Sequence, residues 1–125
     1  MKVRIYYHHT DCGGVVYYAN YLKFLEEART EYFEQRGIFT KDLSDRGILF
    51  VVARQEIEYK MPAVYNDILT VDAKVTDVGR AKIEFENEIR NQNNEIVALA
   101  KTTLVFVSKN LKPKSIPDDI RSKLK

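Results

Sequence analysis

The chain has 125 residues, 45% of them hydrophobic and 30% charged, and 20 Lys and Arg against 18 Asp and Glu leave a formal net charge of +2. That length serves one domain with a single core and is too short for two. The near balance of charge gives no whole-chain electrostatic case for nucleic acid or an anionic membrane. Cys12 is the only cysteine, which excludes an intrachain disulfide and leaves no Cys/His ligand set for a structural zinc.

Residues 2–8 alternate Val3, Ile5 and Tyr7 against Lys2, Arg4 and Tyr6, the period of a half-buried strand. The pattern stops at 10–14, where Gly13 and Gly14 permit a sharp turn and a close approach to the main chain. From about 18 to 36 the period becomes helical. Tyr18, Tyr21, Leu22, Leu25, Ala28, Arg29 and Tyr32 trace one face, Phe24 and Phe33 widen its apolar arc, and Gly37 supplies the stop. An arc that wide predicts a helix contacted on more than one side.

A loop or helical turn at 40–46 leads through Gly47 to a strand at 48–59, which Met61, Pro62 and Ala63 interrupt. Asn66-Asp67 turns the chain into a strand at 68–78, Gly79-Arg80 forms a hairpin into 82–90, and 91–94 turns into a last strand at 96–108. Both faces of that strand are apolar near its end, which calls for cover on both sides, a subunit partner being one source. Pro117 opens a short closing helix over 117–124. Short turns force neighbouring strands to be antiparallel. The expected architecture is therefore α+β, one mainly antiparallel sheet of about five strands curled around a single dominant helix. No apolar run approaches the ~20 residues that cross a bilayer. The opening residues also lack the apolar segment of a signal peptide, so a cytoplasmic chain without an integral membrane segment is expected.

Asp11 is the one carboxylate in the turn at the mouth of the helix. Taken alone, it reads as a turn residue or helix cap. A helix start also presents unpaired N–H groups and a positive dipole end, which favour charge developing on a carbonyl oxygen. Tyr7 and Tyr18 read equally well as core tyrosines with bonded hydroxyls. His8 and His9 point to opposite faces of a strand and have no third ligand, so metal chemistry has little support. Asn20 and Arg29 read as capping or interface residues.

The run Tyr7-x-x-Thr10-Asp11-x-Gly13-Gly14-Val15-Val16-Tyr17-x-Ala19-Asn20-Tyr21-Leu22, with Glu27-Ala28-Arg29 downstream, resembles the signature of hotdog-fold acyl-CoA thioesterases of the 4-hydroxybenzoyl-CoA thioesterase family. Within that family it is most similar to the bacterial branch associated with the Tol-Pal envelope system, and the likeness runs on through Tyr59, Pro62-Ala63 and Asp67 to Pro117. The resemblance implies a hotdog fold, hydrolysis of an acyl-CoA to free acid and CoA, and neither metal nor cofactor. It implies Asp11 as general base or nucleophile and the Tyr18 backbone amide as the donor to the thioester carbonyl. Tyr7 would shape the pocket and hydrogen-bond near the reacting group.

Many relatives carry His where this chain has Tyr18, and an acidic pair where it has His8-His9. No matched position supports Cys12 as a nucleophile. The resemblance further implies a homodimer or homotetramer with active sites between subunits. CoA and acyl carrier protein are the candidate carriers, and Arg54, Lys60, Arg80, Lys82 and Lys101 the candidate partners of CoA phosphates. A scaffold that binds acyl-CoA or joins an envelope assembly without catalysis is the alternative. The dehydratase branch of hotdog proteins ranks below it, for want of a helix-borne carboxylate with a pocket histidine.

Overall fold

A computed structural model describes residues 1–124. Five strands form one sheet, β1 (Lys2–Arg4), β2 (Leu49–Tyr59), β3 (Ile68–Val78), β4 (Lys82–Arg90) and β5 (Ile96–Val107), in the spatial order β1-β3-β4-β5-β2 with every pair antiparallel. The long helix α1 (Asn20–Glu34) packs on one face. Shorter helices α2 (Thr40–Asp45) and α3 (Asp118–Arg121) close one end. This is the curled sheet around one helix that the hydrophobic periods predict.

Strand alternation decides which face is inside. On β4, Ile83, Phe85, Asn87 and Ile89 are buried while Lys82 and Glu88 are exposed, and on β5 Ala98, Ala100, Thr102, Leu104 and Phe106 are buried opposite exposed Lys101. On α1 the buried set is Tyr21, Phe24, Leu25, Ala28, Arg29, Tyr32 and Phe33, so the wide arc is realised. Leu22 is the exception at 46% exposed. Register shifts between Val52 and Arg54 on β2, and between Val75 and Asp77 on β3, add local twist of the kind that lets a sheet wrap a helix.

The core falls into two clusters. The first joins the start of α1 (Tyr21, Phe24, Leu25) to Ile5, Leu69, Val71 and Ile89; the second joins its end (Tyr32, Phe33) to Phe85, Leu104, Phe106 and the tail residues Ile116 and Ile120. Between them the inner sheet face carries Asn87, paired in register with Ala73 and Ala100, and Thr102, whose hydroxyl donates to Gln55 Oε1 at 2.8 Å. Arg29, 7% exposed, has an unpartnered Nη1, and Asn87 has an unpartnered Oδ1. Burial pushes the Arg29 guanidinium below its ordinary pKa, opposed by Glu26.

Four expectations change. The first strand stops at Arg4, and Tyr7–His9 form a 3-10 turn instead, because the main chain bends back at Ile5 to exchange hydrogen bonds with Asp67 and Asn66. The long helix starts at Asn20, two residues later than its spacing indicates, since the 17–19 segment is held in a turn. The link from β2 to β3 is no hairpin: residues 60–67 cross the end of the sheet, with Lys60 N–H and Met61 N–H donating to the Val97 carbonyl. Near the end of β5, Val107 is covered by the chain's own tail, which bridges it at Pro113, while Val105 stays half-buried.

In the second cluster Phe85 is fully buried, with its ring edge-on to Phe33 at 5.6 Å and to Tyr32 at 5.4 Å. Phe85→Ala is expected to destabilise the fold by about 3–5 kcal/mol. Lys41→Ala, on the exposed face of α2, should cost well under about 1 kcal/mol. Urea midpoints of the two variants check both.

Candidate active site

The site grows from a closed loop between the 3-10 turn and α1. Thr10 bridges Val16, Asp11 N–H donates to the Val15 carbonyl at 2.9 Å, and Gly14 N–H donates to the Asp11 carbonyl at 3.0 Å. Gly14 has φ +83°, the left-handed backbone that closes this turn and that a side chain resists. Asp11 Oδ1 accepts the Gly13 N–H at 2.8 Å, so one carboxylate oxygen does the work of a turn residue. Its Oδ2 has no partner among the described residues, and the side chain is exposed.

The loop is tied to the helix start at one point. The His9 carbonyl accepts both the Tyr17 N–H at 2.9 Å and the Asn20 side-chain Nδ2–H at 2.8 Å. From below, Val16 N–H donates to the Ala63 carbonyl at 2.8 Å, and Val15 bridges Val64. The β2–β3 crossover is thus the floor of the loop. Tyr17, Tyr18 and Ala19 accept from Asn20, Tyr21 and Leu22, giving a tight first turn. The Tyr18 N–H itself has no acceptor among the described residues.

The Tyr18 side chain is 62% exposed and sits edge-on to Tyr59 at 6.4 Å, and the Tyr59 hydroxyl donates to the Tyr18 carbonyl at 3.3 Å. Tyr21 lies beneath, its hydroxyl pushed up to about 12 by burial. Tyr7 is 72% exposed and stacks flat on Tyr65, centroids 4.0 Å apart. Its carbonyl accepts the Thr10 N–H and hydroxyl, but no hydrogen bond of its own hydroxyl appears among the described residues.

His8 and His9 rings lie 4.0 Å apart on the 3-10 turn rather than on opposite faces of a strand. His9 Nδ1 accepts the Tyr6 N–H at 2.9 Å, which leaves its proton on Nε2. Burial first, then the charges of His8 and Lys23, hold its pKa below the usual value.

Asp11, Tyr7 and Tyr18 are all exposed in the single chain. A hollow of about 540 Å³ lies on the outer face of the sheet among Glu56, Glu58, Lys74, Glu86 and Lys101, and the Asp11 loop takes no part in it. Of the basic residues considered for CoA phosphates, Arg54, Lys60 and Lys82 pair with Glu56, Glu58 and Glu84. Sequence reasoning brings Asp11 and Tyr18 to one place, but it misses the tie through Asn20 and the support from Tyr59. An Asn at the first helical position was the available sign of the former; nothing in the alternation of β2 marks the latter.

The sheet curled around one helix is a hotdog fold, and a carboxylate with one free oxygen lies on the loop beside that helix's start, next to an unpaired N–H. Comparison with known proteins agrees. Residues 5–124 match the model of the thioesterase-like superfamily. An acyl-CoA thioesterase YbgC of Haemophilus influenzae is 39% identical over 96% of this chain and 89% of its own length; an acyl-CoA thioester hydrolase YbgC of Escherichia coli is 34% identical over 98% and 92%. The crystal structure of a hypothetical protein from Aquifex aeolicus superposes with a TM-score of 0.94 at 30% identity, covering 100% of this chain and 98% of that one. The chain belongs to the thioesterase-like superfamily.

Two outcomes test the loop. A methyl group at Gly14 meets nothing within 4 Å, so Gly14→Ala should cost only the left-handed backbone, about 1–2 kcal/mol, read from urea midpoints. For His9, the unfolded chain titrates near 6.5 and the folded one lower, so below 6.5 the unfolded state binds the proton first and stability falls as pH drops. The fall in urea midpoint from pH 7.5 to 5.5 should be smaller in His9→Gln, and an equal fall would show that another group is responsible.

Proposed function

We propose that the chain hydrolyses acyl-CoA thioesters to a free carboxylic acid and CoA, with Asp11 as the reactive carboxylate and the Tyr18 backbone amide as the donor to the thioester carbonyl. The observation that carries this reading is the pair of unsatisfied groups at the loop–helix junction: Asp11 Oδ2 and the Tyr18 N–H. A donor already in place where negative charge develops lowers the barrier without reorganising at the moment of reaction. Asp11 Oδ2 either takes a proton from water as water attacks the carbonyl carbon, or attacks that carbon itself to give an acyl-aspartyl anhydride that water then opens. In both routes the C–S bond breaks and CoA leaves as the thiol.

Because the role of Tyr18 is a backbone one, tyrosine serves where many relatives carry histidine. Tyr7, stacked on Tyr65, forms an aromatic wall beside the loop for the acyl or pantetheine portion. The site is completed by a second copy of the chain in a homodimer, or a homotetramer built from it. The 11-residue edge strand β2 supports this, with Val51, Val52 and Tyr59 exposed and one edge unpaired. The exposure of Asp11, Tyr7 and Tyr18 in the single chain points the same way. CoA is the carrier we assign, with acyl carrier protein the alternative, and the cytoplasm the compartment; no helix of the described residues is long and apolar enough to cross a membrane.

Asp11→Asn keeps an oxygen to accept the Gly13 N–H while removing the base and nucleophile. We expect kcat for thiol release from an acyl-CoA panel to fall about 100-fold or more, with acyl-CoA binding retained. A loss below tenfold in a folded variant would remove Asp11 from the chemistry. Acyl-CoA binding by the wild-type protein with no thiol release above background would overturn hydrolysis itself.

A further inference from the structure

The turn between β5 and the tail does something that packing does not require. Ser108 N–H donates to the Lys112 carbonyl and Leu111 N–H to the Ser108 carbonyl, both at 2.8 Å, and the turn closes with Leu111 at φ 61°. That position favours Gly or Asn. At its two other left-handed positions without glycine the chain uses asparagine, Asn66 at φ 74° and Asn94 at φ 62°. Here it places a leucine that is 66% exposed, the most exposed large aliphatic side chain among the described residues. A bulky residue held in a disfavoured backbone and pointed at solvent gains nothing from the folded core.

Its surroundings are cationic. Residues 108–117 contain Lys109, Lys112 and Lys114 and no acidic residue. The tail lies alongside the β3–β4 turn: Lys114 N–H donates to the Phe106 carbonyl, Phe106 N–H to Ala81 and Ile116 N–H to Arg80. Arg80 thus joins the same corner. None of these four cations has an ion-pair partner among the described residues, whereas Arg54, Lys60, Lys74, Lys82 and Arg90 on the sheet are each paired with a glutamate.

We propose that this corner docks the protein peripherally on an anionic lipid surface. Leu111 enters the boundary between headgroups and acyl chains, while Lys109, Lys112, Lys114 and Arg80 face the lipid phosphates. An apolar tip ringed by unpaired cations matches the two parts of such a surface. The whole-chain charge of +2 does not show it, because the corner gathers four unpaired cations around one apolar tip while five of those on or beside the sheet are paired with glutamates. The corner belongs to the second core cluster, at the opposite end of α1 from the Asp11 loop, so docking leaves the loop uncovered.

The test is co-sedimentation of the full chain with vesicles of phosphatidylcholine alone and of phosphatidylcholine with phosphatidylglycerol, at low and high salt. Binding to the anionic vesicles only, weakened by salt, is expected. Leu111→Gly should lower the partition coefficient about tenfold, and each Lys→Gln change in the turn about fivefold. Leu111→Asn, which matches the chain's own choice at its other left-handed positions, should behave like Leu111→Gly. Both Leu111 variants should match or exceed the wild-type thermal midpoint, because each relieves the left-handed leucine, and should keep thiol release from soluble acyl-CoA. Absence of wild-type binding to anionic vesicles, wild-type partition by both variants, or capture of an acidic carrier protein in place of vesicles would each overturn the proposal.

Discussion

The site depends on one acceptor, the carbonyl of His9. It takes two donors, the Tyr17 amide and the Asn20 side chain, and so fixes the loop that carries Asp11 to the first turn of α1. A carbonyl has two lone pairs, and filling both from the same side converts a sequence neighbour into a rigid neighbour. The crossover beneath, through Ala63 and Val64, stops the loop from folding inward. Removing the Asn20 donor would leave the carboxylate on a loop held by one fewer bond, with the helix start free to shift relative to it.

The sheet is subordinate to that junction. Its order sends β1 and β2 to opposite edges, so α1 must cross the whole sheet between them and the link from β2 must return across its end. That return supplies the floor of the loop. Two register shifts bend the strands far enough for the sheet to meet the helix with Phe24 on one flank and Phe33 on the other. Hydrophobic wrapping and placement of the site are thus one arrangement.

Most of this was readable from residue periods. The strands at 68–78 and 82–90 and the wide arc of α1 follow directly from side chains that alternate or recur by turns, because burial selects them. What periodicity hides is decided by hydrogen bonds between distant segments. The early end of β1 reflects Ile5 bonding to Asp67 and Asn66, and the pairing of β2 with β5 reflects a crossover whose length resembles a loop. At the candidate site, the motif points to Asp11 and Tyr18, and the turn role weighed for Asp11 is seen at one of its two oxygens. The Tyr59 hydroxyl and the left-handed Leu111 carry no periodic signal; the second is visible only as a leucine where the backbone asks for glycine or asparagine.

Polar groups interrupt the core, with Asn87 and Thr102 on the sheet and Arg29 on α1 between two apolar clusters, and this bears on how the molecule opens. Apolar contact is what makes neighbouring parts of a fold unfold together, and a strip of amide, hydroxyl and guanidinium groups interrupts it. Such an interruption predicts that the two halves of the core open separately. Amide exchange in the tail half, with α2, α3 and the Leu111 corner, is free to proceed through openings that leave the Asp11 half protected. The end that carries Leu111 and the end that carries Asp11 are thus separated by polar groups rather than joined by continuous apolar packing.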